Sequence, residues 1–271
     1  MIEKIAQEIK ALEAPELLMP EPMQTYVTWG LGLLALMFLI IAIRMSLRHK
    51  DWTPLVFFIA GTLASVTTEA LSDYLTHFTH AQIGAIPFYT AYTRVVPLNV
   101  LFIYSLYFGA WYLFAYSRML SGTLGKNNFL WKAYFFSTTI AYIFEVIPIH
   151  FGMWQYFDPQ PIWFWHGTLP PHFAFLNSFS IIFGVVMMDK LRAVPRPWRP
   201  LVMLIAGPLG PIMGHIGVGQ PYYWTMNAGL SQTWIDIGGV ASIGTCLLGI
   251  WLLLLLGYPP TERTTSRITV A

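Results

Sequence analysis

The chain has 271 residues, of which 56% are hydrophobic, 16% aromatic and only 10% charged, with a formal net charge of +2. A mean hydropathy of +0.56 lies outside the range of soluble globular domains. The basic residues sit at the ends of apolar runs, where they read as topology signals and give no sign of a nucleic-acid surface. The single cysteine, Cys246, rules out a disulfide framework or a thiolate metal site.

Residues 1–25 read as an amphipathic segment rich in glutamate (Glu3, Glu8, Glu13, Glu16, Glu21) rather than as a signal peptide. Seven apolar runs follow across 26–257, each long enough to approach the roughly 20 residues that cross about 30 Å of hydrocarbon. The expected helices cover 26–46, 54–75, 97–116, 130–148, 172–188, 201–216 and 234–256. A His-, Gly- and aromatic-rich loop separates the second from the third. The stretch 150–171 carries no Lys or Arg but holds Trp154, Trp163, Trp165 and His166, and it reads as an aromatic interfacial loop, partly re-entrant. Residues 258–271 form a short tail. The fold class is therefore all-α, a polytopic seven-helix membrane bundle with one membrane domain.

Lys and Arg number three, three, four and two on the turns after helices 1, 3, 5 and 7, which is 12 of the 15 in the chain. The opposite side carries only Lys4, Lys10 and Arg94. By the positive-inside rule this puts the N-terminus outside and the C-terminus in the cytoplasm, in a multi-pass protein of the inner (plasma) membrane. Six of the seven histidines fall on the outer side or in helix ends that reach it.

Ionisable groups within the hydrocarbon cost about 2.5–3.5 kcal/mol each on insertion scales, so each needs a reason to be there. Glu69 and Asp73 lie in the second helix, Glu145 in the fourth, His215 in the sixth and Asp236 in the seventh. All are near the outer ends, at a depth where different helices can share one site. Glu69, Asp73 and His77 recur every four residues, which places them on one helical face, and His80 extends the stripe if the helix continues. A carboxylate four residues before a histidine can serve as an acid–base pair, as two metal ligands, or as part of an interhelical hydrogen-bond stripe that frays into interfacial water at His77. Pro148 ends or bends the helix just beyond Glu145. Trp154 and Tyr156, flanking Gln155, and Trp224 are candidates to line a substrate site. His215 stands among Gly210, Gly214, Gly217 and Gly219, which permit close helix packing, and Asp236 opens its helix where the dipole favours a carboxylate.

Seven helices with little loop mass, Glu69 in helix 2 and Asp236 at the start of helix 7 resemble the integral-membrane terpene cyclases of meroterpenoid pathways. The segment from Glu145 through Gly-Met-Trp-Gln-Tyr is also loosely similar to carotenoid-modifying membrane proteins. The cyclase resemblance implies that Glu69 and Asp236 protonate an epoxide or olefin and manage the carbocation, with no cofactor.

Three functional readings stay open on the sequence. In the first, an integral-membrane enzyme of cyclase, isomerase or hydratase type works on a lipophilic, isoprenoid-type substrate by acid–base chemistry. Glu69 or Glu145 gives the proton, Asp236 and His215 relay it, and aromatic faces hold the cation. In the second, Asp73, His77, His80 and His215 bind a metal in a membrane oxidase or hydrolase. In the third, the same carboxylates serve a proton-coupled transporter. The oligomeric state is not fixed by any of them.

Overall fold

The computed structural model describes residues 14–162 and 169–258. Trp163, Trp165 and His166 lie outside these residues, as do Lys4, Lys10, Arg263 and Arg267. The chain is mainly helical. Helix α1 spans Glu21–His49, α2 Thr53–Thr76, α3 Leu98–Leu120, α4 Phe129–His150, α5 His172–Leu191, α6 Arg199–Val218, α7 Gln220–Asn227 and α8 Gln232–Gly257. Short strands β1 (Phe78–His80), β2 (Pro87–Ala91), β3 (Arg94–Pro97) and β4 (Trp154–Tyr156) cluster at one end.

Six of the helices (α1, α2, α3, α5, α6 and α8) are long and apolar enough to cross a bilayer. Helix α4 has 22 residues, but Lys132, Glu145 and its tyrosines dilute its apolarity, and it is not among the six. Helix α1 starts five residues before the expected Tyr26, directly after Pro20, a residue whose fixed φ suits a helix entry. It buries only Thr28, Ala35, Ala42 and Ser46, a stripe of small residues seven and then four apart. The large side chains on its other faces, such as Trp29, Leu33 and Leu47, stand 58%, 68% and 61% exposed. Lipid rather than protein solvates such a surface, and the small-residue stripe lets the helix backbone lie close to its neighbours.

Helix α2 is the central post. It crosses α3 where Gly61 meets Gly109, so closely that a Cβ on Gly61 would lie 2.4 Å from the Gly109 nitrogen. The crossing falls at the end of a wide turn, Ser105–Gly109, in which the Ala110 N–H bonds the Ser105 carbonyl five residues back. Such π turns insert one residue and re-aim the side chains around them. Beneath this level Phe57, Tyr112 and Tyr116 pack edge to face, all buried. At the far end Asp51 accepts from Thr53 N and Oγ1 at 3.0 and 2.7 Å and pairs with Arg199 at 3.5 Å, tying the α1–α2 turn to the start of α6. Burial alone would raise the Asp51 carboxyl. Its bonds to Thr53 and the charges of Arg199 and Arg196 outweigh that and hold it below the usual range.

The end of α2 departs from the expected stripe. The helix stops at Thr76 because His77 takes a left-handed conformation, φ 50°, and its N–H bonds the Asp73 carbonyl. Strand β1 then turns back and pairs antiparallel with β4, with Phe78 opposite Tyr156 and His80 opposite Trp154. The β2–β3 hairpin turns through Tyr92 and Thr93, both at positive φ, which matches the twist of a two-residue hairpin loop. Part of the expected 150–171 loop is therefore the ordered strand β4. Pro148 does not end α4; it sits in the last turn, and its carbonyl takes the Met153 N–H at 2.9 Å. Helix α6 breaks at Gly207–Pro208, and the short α7, which the hydropathy pattern does not announce, carries the buried Tyr222 and Tyr223.

Candidate functional site

Below the β1–β4 ribbon a cavity of about 160 Å³ lies between α2, α3, α4, α5 and α6. Glu69, Asp73, His80, Glu145, Trp154 and His215, six residues singled out in the sequence, all line it. Aromatic rings form much of the rest of the wall, Tyr104, Tyr107, Phe108 and Trp111 from α3 around the π turn and Phe173 from α5, beside aliphatic and small polar side chains such as Ile103, Ile140 and Ser180.

Glu69 sits at the centre of one polar group. Its Oε1 lies 2.8 Å from His80 Nε2, and its Oε2 accepts the Tyr104 hydroxyl at 2.6 Å. Asp73, one turn on, has Oδ2 at 3.6 Å from the same His80 nitrogen. Because a carboxylate oxygen accepts, the ring proton of His80 belongs on Nε2. The left-handed turn at His77 makes this geometry: it reverses the chain so that a residue eleven positions after Glu69 meets it. The donor atoms of Glu69, Asp73 and His80 lie within 4.8 Å of one another, the composition of a metal-ligand set.

Glu145 sits at the centre of the other group. Its Oε2 accepts from Trp154 Nε1 at 3.1 Å and from the Tyr156 hydroxyl at 3.2 Å, and its Oε1 from Asn177 Nδ2 at 3.4 Å. Burial first, and then the adjacent Glu145 charge, pushes the Tyr156 phenol well above its usual value, so it remains a donor. Asn177 Oδ1 lies 3.1 Å from His215 Nε2, and His215 Nδ1 meets the Tyr223 hydroxyl. Read by donor and acceptor, the chain runs from the Tyr223 hydroxyl to His215, on through the Asn177 amide, and ends on Glu145.

The other expected residues lie elsewhere. His77 leaves the carboxylate stripe: Nδ1 is 3.1 Å from Asp158 and Nε2 is 3.3 Å from Asn227, while the ring stacks on Phe157. Burial holds its imidazole below the usual value, against the opposing pull of Asp158 and Asn227. Asp236 accepts from Ile162 N and Gln232 Nε2, both at 2.9 Å, and pins the chain after β4 to α8. It does not line the cavity, so the pairing of Glu69 with Asp236 that the cyclase resemblance implies is not made at this site. Trp224 is 64% exposed on α7, apart from the cavity, and Tyr156 stands behind the lining, bonded to Glu145 and packed against Phe78 and Phe173. Cys246 is a free, buried packing residue.

Tyr104, Asn177 and Tyr223 are the polar partners that a search for ionisable groups misses. For Tyr104 and Asn177 the signal available was their placement as hydrogen-bonding groups inside apolar runs, where each must find a partner; Tyr223 lies between the expected runs and had no such signal.

The fold and cavity define a multi-pass helical membrane protein with a polar, aromatic-walled chamber between its helices. Comparison of the chain with family models, with curated proteins and with solved structures finds no match.

Proposed function

We propose that this protein is an integral-membrane enzyme acting on a lipophilic, isoprenoid-type substrate by carboxylate acid–base chemistry, as a cyclase, isomerase or hydratase does. The observation that carries the reading is that Glu69 and Glu145, from different helices, face one aromatic-walled cavity. In the proposed arrangement all seven long helices cross the plasma membrane with the N-terminus outside, so the cavity lies toward the outer surface.

Glu145 is the proposed proton-transfer residue, placed by Trp154, Tyr156 and Asn177. His215 acts through Asn177 as a positioning residue. The faces of Trp154, Trp111 and Phe173 would stabilise a cationic centre by about 0.5–2 kcal/mol each. The cavity suits the reacting end of a lipid and not its whole chain, since pockets that enclose drug-sized ligands run to about 300–1,000 Å³. Phe144 lines the cavity and is also 47% exposed on the outer face of α4, which marks the side where a chain would leave for the bilayer. The buried packing of Phe57, Tyr112, Tyr116 and Leu130 at the next level supports a closed-ended site over a transport path.

The test is turnover of a panel of isoprenoid epoxides, olefins and alcohols by the detergent-purified protein, followed by mass spectrometry. Glu145→Gln keeps the size and an acceptor oxygen but cannot exchange a proton, and it should lower kcat by about 10²–10⁴. No conversion of any isoprenoid, or undiminished conversion by Glu145→Gln, would sink the reading.

A further inference from the structure

Glu69 and Asp73 are two acids one helical turn apart in an apolar setting, where like charges at this spacing repel. Hydrogen bonding relieves them unequally. Glu69 has His80 and Tyr104, whereas Asp73 Oδ2 is buried, with the residue only 4% exposed, and has no hydrogen-bond partner. That oxygen is aimed at His80 Nε2 from 3.6 Å, too far for a hydrogen bond. Arg94 also acts electrostatically on Asp73, but its guanidinium lies over the Tyr74 and Phe157 rings at 5.6 and 5.4 Å. A buried acceptor left without a donor costs about 1–3 kcal/mol, more when charged. An arrangement that leaves one pointing into a cavity beside a second carboxylate and an imidazole is what a bound cation would complete.

We infer that Glu69, Asp73 and His80 form a binding site for one divalent transition-metal ion of the zinc, manganese or iron(II) class. The ion takes the place of the His80 Nε2 proton that now bonds Glu69 Oε1 alone. Bonds of about 2.0–2.2 Å to a shared ion put its donors roughly 3–4 Å apart. Two of the separations, 2.8 and 3.6 Å, are already close to that span. The donor set decides the class. One imidazole with two carboxylates suits zinc, manganese and iron(II), whereas magnesium and calcium favour all-oxygen shells and copper(I) favours sulfur. The Tyr104 hydroxyl on Glu69 Oε2 is the outer-shell contact that orients the ligand. Three protein donors leave positions open toward the cavity, where a water or a substrate oxygen would face Glu145. This goes beyond the acid–base reading: a loaded ion makes Glu69 a ligand and leaves proton transfer to Glu145.

Metal binding is measured without substrate, so its outcome is separate from that of the turnover assay. Chelator-stripped full-length protein in detergent is titrated with Zn²⁺ and with Mn²⁺ alone, and with Co²⁺ while its visible spectrum is read. The expected result is one equivalent bound. Asp73→Asn and His80→Gln should each weaken binding by at least about a hundredfold, and His77→Ala should leave it unchanged. Pulsed electron paramagnetic resonance of the Mn²⁺-loaded wild type should show coupling to one imidazole nitrogen, a readout that stands even if a variant does not fold. Absence of saturable binding to the wild type, absence of nitrogen coupling, or unaltered affinity in both folded variants would overturn the site.

Discussion

Glu69 and Glu145 face the same cavity but are held in opposite ways. Glu145 is a single acid caged by neutral donors drawn from β4 and α5, Trp154, Tyr156 and Asn177. Glu69 belongs to a cluster of two acids and an imidazole, in which Asp73 Oδ2 lacks a donor. Neutral donors fix one charge in a low-dielectric setting and keep it available for chemistry. Clustered charges instead call for a counterion. The two groups therefore divide the cavity into a side suited to moving a proton and a side suited to holding a cation.

Beyond the loss expected of Glu145→Gln, the contrast can be broken from the Glu145 side by Asn177→Leu. This removes the amide that joins His215 to Glu145 and leaves both buried groups short of a partner. It should cost about 2–3 kcal/mol of stability, read as a fall in Tm, and leave metal stoichiometry intact. Trp154→Phe is milder: it keeps a ring in the ribbon but deletes one donor to Glu145. The expected effect is roughly a tenfold loss in kcat, about 1.4 kcal/mol, with Zn²⁺ affinity unchanged. A parallel loss of metal would show that the two sides are not separable.

The His77 latch offers a smaller, pH-resolved test. With its imidazole held below the usual value, the folded state binds this proton less readily than the unfolded chain. Its contribution is full above about pH 6.5 and is lost as the pH falls below that value. Between about pH 7.5 and about pH 5.5, wild-type Tm should drop further than that of His77→Gln. Equal slopes would assign the pH response to another group. The smallest effect is expected of Asp236→Asn, which retains an acceptor for Ile162 N: a stability change within about 0.5 kcal/mol and unchanged turnover. A hundredfold loss of turnover would return Asp236 to the site.

The helices were legible in the sequence because apolar runs and flanking charges are one-dimensional signals, and six of the seven expected spans reappear among helices apolar enough to cross a bilayer. The membership of the site was partly legible, since ionisable residues in such runs must converge to be tolerated. Which histidine joins the carboxylates was not. Four-residue spacing pointed to His77, but that logic holds only while the helix continues, and it ends one residue earlier at Thr76. A left-handed cap at a histidine carries no glycine to announce it. Asp236 and Trp224 were read by depth along their helices, and depth says nothing of rotation about the axis.

The β1–β4 ribbon is three residues long on each strand, and its register sets His80 directly opposite Trp154. One of those side chains belongs to the Glu69 cluster and the other to the Glu145 cage. The ribbon is thus a common yoke, holding the imidazole and the indole in one fixed relation. A single change of register in this ribbon would therefore displace a partner of Glu69 and a partner of Glu145 at once.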